Sequence, residues 1–75
     1  MQNLDFDLAD EFIELYKLLK ATGICESGGA AKALVAGGEV AVDGKVELRK
    51  ACKIRPGQIV ETGDLRLQVR PAANR

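Results

Sequence analysis

Residues 26–44 read ESGGAAKALVAGGEVAVDG. Almost without spacers, this stretch spells a capped short helix, a glycine stop, a strand and a tight turn. Ser27 is a good N-cap, because its hydroxyl oxygen accepts a hydrogen bond from a first-turn amide. Gly37 and Gly38 supply a residue that takes positive φ after the last turn. Val40 and Val42 alternate with small or polar neighbours, as a half-buried strand requires. Asp43-Gly44 is a strong two-residue hairpin signal, since both central positions of a type I′ turn need φ > 0. The expected inner stripe of the helix is Ala30, Ala33 and Leu34. At helical spacing Lys32 lies about 160° around from Leu34 and so points outward.

Upstream, residues 2–8 alternate. Leu4, Phe6 and Leu8 fall on one side and Asn3, Asp5 and Asp7 on the other. This predicts a short strand with an acidic wet face; a helix start is the competing reading, since acids also suit a helix N-terminus. A helix is expected over about 14–21, with Phe12, Leu15, Tyr16 and Leu19 on one side and Lys17 and Lys20 together on another. Thr22-Gly23 stops it. The second helix is expected from 27 or 28 to about 36. Two short helices with a glycine-containing link resemble a helix-turn-helix. Gly28 and Gly29 are unusual in a first turn, because each costs roughly 1 kcal/mol against Ala. Either they permit close packing, or they let a polyanion approach the helix N-terminus.

Downstream, a strand over about 39–42 and another over 45–47 flank the Asp43-Gly44 turn. Residues 48–55, LRKACKIR, are the densest basic stretch of the chain. Pro56-Gly57 signals a type II turn. Ile59 and Val60 begin a strand, Gly63-Asp64 marks a second hairpin turn, and Leu65, Leu67 and Val69 alternate with Arg66, Gln68 and Arg70. Residues 71–75 are expected to be a frayed tail. The order predicts an α+β fold: two short packed helices, then a small, mostly antiparallel sheet, with the first and last strands pairing. At 75 residues the chain is expected to form one domain over 1–75, with its core motif at about 13–61.

Composition narrows the function classes. Aromatic residues are 4% of the chain and histidine is absent. That argues against an aromatic platform for stacked bases and removes histidine base catalysis and histidine-containing zinc sites. Net charge is zero, yet Asp5, Asp7, Asp10, Glu11 and Glu14 occupy the first 14 positions and all 11 bases come later. Folding is able to set the acidic arm behind a basic face, and the bland alternative is interspersed solubilising charge. Cys25 and Cys52 are too few for a four-cysteine zinc site. They are expected to be reduced thiols in a cytoplasmic protein, with a disulfide as the less favoured alternative. No phosphate-binding loop or dinucleotide fingerprint is present. Ser27 has no candidate base beside it and reads as a cap, not a nucleophile. No cofactor or metal is expected, and no apolar run is long enough to span a bilayer.

What remains is a set of bases on two helices and a loop. That arrangement fits a nucleic-acid backbone, where Lys and Arg displace condensed counterions. The ordered parts resemble the RNA-binding domain named after small-subunit ribosomal protein S-four, also called the αL motif. These parts are Leu18-Leu19-Lys20-Ala21-Thr22-Gly23, Ser27-Gly28-Gly29-Ala30-Ala31-Lys32, Gly38-Glu39-Val40-Ala41-Val42-Asp43-Gly44, Arg49-Lys50 and Pro56-Gly57-Gln58. The S-G-G-x-A-K element with R-K and C-K-I is similar to the short stand-alone YbcJ-like branch. The resemblance implies a non-enzymatic, monomeric binder of structured RNA, plausibly ribosomal RNA, with Lys17, Lys20, Ser27, Lys32, Arg49, Lys50 and Lys53 facing it. Two departures stand out: Ile13-Glu14-Leu15 replaces a common R-L-D start, removing one Arg contact, and the first strand is acidic. Two other classes compete. A protein-interaction adaptor predicts ribonuclease-resistant partners. A thiol redox protein predicts a reactive Cys25 or Cys52.

Overall fold

The computed structural model describes residues 2–72. Strand β1 (Gln2–Leu8) leads through the two-residue β2 (Ile13–Glu14) into α1 (Leu15–Ala21) and α2 (Gly28–Ala36). Strands β3 (Val40–Val42), β4 (Lys45–Val46), β5 (Lys53–Ile54), β6 (Ile59–Thr62) and β7 (Leu65–Pro71) follow. The main sheet has the order β1-β7-β6-β3-β4, and β2 and β5 form a separate antiparallel pair. The first and last strands do pair, in parallel, with Leu4 opposite Leu67 and Phe6 opposite Val69. The other pairings are antiparallel.

The alternation read from the sequence sets which face is wet. Leu67 and Val69 are buried while Arg66, Gln68 and Arg70 are exposed. The inward strand residues meet Leu15, Leu18, Leu19, Ala31 and Val35 of the helices in one core. On the outer face, Arg70 Nη1 lies 3.4 Å from Asp5 Oδ2 across the β1–β7 pair. An exposed pair of this kind contributes at most about 1 kcal/mol, so apolar burial decides the pairing.

Local chemistry closes each element. The Ser27 hydroxyl oxygen accepts from the Ala30 amide at 3.1 Å. The Thr22 hydroxyl donates to the carbonyls of Leu18 and Leu19 at the end of α1. In the β3–β4 turn, Asp43 has φ 52° and Gly44 φ 86°, as a type I′ turn requires. A non-glycine residue at that φ needs compensation. Asp43 receives it: Oδ1 accepts from the Ile59 amide at 3.0 Å and Oδ2 from Gln58 Nε2 at 3.0 Å. Gln58 Oε1 in turn accepts from the Arg55 amide at 2.8 Å. These bonds hold the Asp43 carboxyl below its usual range, the Gln58 amide being the larger cause and the Ile59 amide the lesser. The D-G and P-G-Q elements are therefore hydrogen-bonding partners in space.

Several expectations are corrected. The inner stripe of α2 is Ala31 and Val35 with half-buried Leu34, whereas Ala30 and Ala33 are exposed. This phase buries valine, which gains more than an extra alanine methyl would. In α1, Leu18 joins Leu15 and Leu19 inside, Tyr16 is half-buried at the margin, and Phe12 precedes the helix. The basic stretch, expected to be loop throughout, contains β5. The first two residues of the expected frayed stretch, 71 and 72, are bonded to the sheet. Pro71 belongs to β7 and the Ala72 amide donates to the Leu8 carbonyl at 3.1 Å. Positions 73–75 lie outside the described residues.

Candidate nucleic-acid interface

Most of the basic stretch lacks regular structure, yet its backbone is fixed. Helix α1 has Glu14 at its N-cap and no side-chain cap bond. Its first amides need acceptors, and the basic stretch supplies them. The Leu15 amide donates to the Cys52 carbonyl at 2.9 Å and the Tyr16 amide to the Lys50 carbonyl at 3.0 Å. Pairing of Ile54 with Ile13 in the β2–β5 ladder pins the far end. Ile54 is fully buried.

Glu47 fixes the near end. Its backbone amide donates to the Val40 carbonyl at 2.9 Å. Its Oε2 accepts from both the amide and Nε of Arg49, each at 2.9 Å, and its Oε1 accepts from Nη2 at 3.3 Å. These bonds, the Arg49 side chain first and its amide second, pull the Glu47 carboxyl down to about 2. The carboxylate is therefore ionised at neutral pH, as the fork requires. Arg49 has its guanidinium oriented by Glu47 and its charge partly offset by that carboxylate, with its side chain 79% exposed.

An open groove of about 980 Å³ runs between α2 and residues 48–53. Lys32, Ala33 and Ala36 line one side, and the other is lined from Leu48 to Lys53. Four of the seven predicted contact residues, Lys32, Arg49, Lys50 and Lys53, thus come together from two separate stretches. Lys17, Lys20 and Ser27 do not line the groove. Lys17 and Lys20 are exposed on α1, and Lys17 Nζ lies 3.2 Å from Glu14 Oε1, which raises its pKa. Ser27 caps α2.

Two aromatic residues, expected on the same side of the first helix as Leu15 and Leu19, lie against these cations. Lys32 Nζ sits 4.8 Å from the Tyr16 ring centroid, and Lys17 Nζ 6.0 Å from the same ring. Lys53 Nζ lies 4.9 Å and Arg55 Cζ 5.8 Å from Phe12. Each exposed contact is worth about 0.5–1 kcal/mol. That offsets part of the roughly 2 kcal/mol of rotamer entropy that a long basic side chain loses on being held. Arg55 was absent from the predicted contact set; its nearness to Lys53 in sequence was the available signal. Glu47 was missed too, although Glu47-x-Arg49 puts both on one side of an extended segment.

The glycines at the start of α2 are not explained by tight packing. A Cβ on Gly28 would meet the Tyr16 ring at 4.0 Å and one on Gly29 would meet Ser27 Oγ at 3.9 Å, both ordinary contacts. Cys25 is buried in the core, and burial pushes its thiol up. Cys52 is half-buried, and its thiol is raised by burial first and by the Glu47 charge second. Both cysteines are free. Neither has the lowered pKa that a redox thiol needs. Among the described residues no helix is long and apolar enough to cross a membrane.

Comparison with known proteins agrees with this architecture. The chain is 51% identical over 57 residues to "Putative RNA-binding protein YbcJ" of Escherichia coli (strain K12), covering 76% of this chain and 81% of that protein. The same identity and coverage hold for "Uncharacterized protein YbcJ" of Shigella flexneri. The solution structure of YbcJ from E. coli, described as revealing an αL motif involved in RNA binding, superposes with a TM-score of 0.66 at 43% identity. That match covers 93% of this chain and 87% of the other. The family model for the S4 domain matches residues 6–70, and with the αL architecture now traced through the helices, hairpin and basic groove, the chain belongs to the S4-domain family.

Proposed function

We propose that this chain is a non-enzymatic, monomeric cytoplasmic module that binds structured RNA, ribosomal RNA among its targets. Its contact surface comprises Lys17, Lys20, Ser27, Lys32, Arg49, Lys50 and Lys53. The observation that carries the reading is the convergence of Lys32, Arg49, Lys50 and Lys53 on one groove. The αL motif of the YbcJ structure, described as involved in RNA binding, supports it.

The physics favours backbone and shape contacts. The major groove of A-form RNA is too deep and narrow for side chains to read. Lysines at the rim gain by releasing counterions from phosphates. Lys20, Lys32, Lys50 and Lys53 contribute full charges. Lys17 and Arg49 contribute less, because Glu14 and Glu47 partly neutralise them. About five neutralised phosphates give a log–log salt slope of roughly −3.5 to −4.5. Titrating a structured RNA at several salt concentrations measures this slope. Affinity indifferent to salt contradicts the reading.

A further inference from the structure

We propose that the groove between α2 and residues 48–53 takes one unpaired base of a structured RNA, laid on Leu48 and stacked against the Arg49 guanidinium. This rests on the RNA-binding reading and goes beyond it, because a basic surface alone needs only phosphates.

The groove is not merely basic. Ala33, Ala36, Leu48 and Ala51 line it alongside the cations and form its apolar part, its floor. Leu48 is 61% exposed and neighbouring Val46 62%, and they are the exposed large hydrophobic residues among those described. A regular duplex offers such a floor nothing to bury, since its outer surface is phosphate, sugar hydroxyl and base edge. The apolar part of an RNA is the face of a base, and it becomes available where the base is unpaired and unstacked. The ligand that fits an apolar floor inside a cationic rim is apolar within and anionic at its edge. A single extruded nucleotide has that form.

Arg49 supplies the second surface. Unpaired bases stack on arginine planes as well as on aromatic rings. A free arginine loses rotamer entropy when it forms such a stack. In Arg49 the bonds from Nε and Nη2 to Glu47 reduce that cost and leave the side chain 79% exposed. The Glu47 carboxylate beside it weakens it as a phosphate ligand, which a stacking platform tolerates. Lys32, Lys50 and Lys53 remain at the rim for the flanking phosphates. An acidic amphipathic peptide is the competing occupant.

The test compares a perfect RNA duplex, the same duplex with one bulged nucleotide, and the same bulge made abasic. The readout is the ratio of bulged to perfect affinity at fixed salt. The expected ratio is roughly fivefold or more, the low end of stacking energies measured for a single base, and the abasic bulge returns it to about one. Arg49→Lys keeps the charge but loses the plane, and Leu48→Ala keeps the charge but loses the floor. Both residues are exposed, so both variants should fold, and each should bring the ratio toward one. A 2-aminopurine in the bulge should change its fluorescence on binding wild type and much less with Arg49→Lys. Equal, salt-dependent affinity for all three RNAs overturns the base site and leaves the RNA reading standing. Absence of salt-dependent binding to any of them overturns both. Tight binding of an acidic amphipathic peptide that bulged RNA fails to displace also overturns the base site.

Discussion

Reversing Lys32 and Lys50 together to glutamate should weaken binding of a structured RNA roughly hundredfold near physiological salt. The two residues stand on opposite sides of the groove. Each reversal removes a phosphate contact and adds a repulsion, together about 1.4 kcal/mol or tenfold. Losing two of about five contacts should also flatten the log–log salt slope by roughly 1.4 to 1.8. Lys50 is the cleaner of the two, since among the described residues it has no ion pair to break. Lys32 gives up its position over Tyr16, worth at most about 1 kcal/mol at an exposed site, so melting temperatures should accompany the titrations. Arg66→Glu is the control, on the sheet face turned away from the core; a loss there as large as in the double variant would move the site.

The second large effect concerns how the site is built. Ile54→Ala should destabilise the domain by about 2–5 kcal/mol, the usual range for a fully buried isoleucine. A chain of 75 residues has roughly 4–11 kcal/mol in all, so the variant should sit close to its unfolding threshold. The effect is not only global. Ile54 anchors β5 to β2, and next to it the carbonyls of Cys52 and Lys50 cap the amides of α1. Loosening that anchor frees both the basic stretch and the start of the helix that carries Lys17 and Lys20. Urea unfolding measures the first effect, and amide exchange at Leu15 and Tyr16 measures the second. Ile54→Val should cost about 1 kcal/mol and leave the exchange of these amides slow. A loss below 1 kcal/mol for Ile54→Ala would show that β5 is not the anchor.

These two experiments separate what the chain spells locally from what only packing reveals. The Ser27 cap, the Asp43-Gly44 turn, the glycine stops and the alternation in β1 and β7 were legible, because each depends on residues within a few positions of one another. The phase of α2 was not. Alanines at 30, 31, 33 and 36 let several faces pass for the inner one, and the choice is made by Val35 packing into the core. The two-residue β5 was hidden inside a basic run, since its partner Ile13–Glu14 lies far away in sequence. Pairing of the first and last strands was a guess from the element order; the pairing and its parallel sense depend on the whole path between them.

The candidate site divides the same way. Its cations were visible as a cluster over residues 49–55 and an outward Lys32. Their convergence on one groove rests on the carbonyls that cap α1 and on the Glu47 fork, and neither leaves a periodic trace. The Asp43–Gln58 bond ties the two turn signals together: the Asp43 carboxylate accepts from the Gln58 side-chain amide and from the backbone amide of Ile59, the residue just after the turn. That bond fixes the hairpin from which the basic stretch departs, so the turn chemistry and the groove belong to one construction.

The proposed interface places RNA at this groove and not at the sheet. Backbone amide chemical shifts, followed while a structured RNA is titrated into the intact chain, test it most directly. The expected result is a set of shifts at Lys32, Ala33, Ala36 and residues 48–53, with Asn3, Asp5, Arg66 and Gln68 on the outer sheet face unmoved. Shifts confined to β1 and β7, with the groove silent, would contradict it.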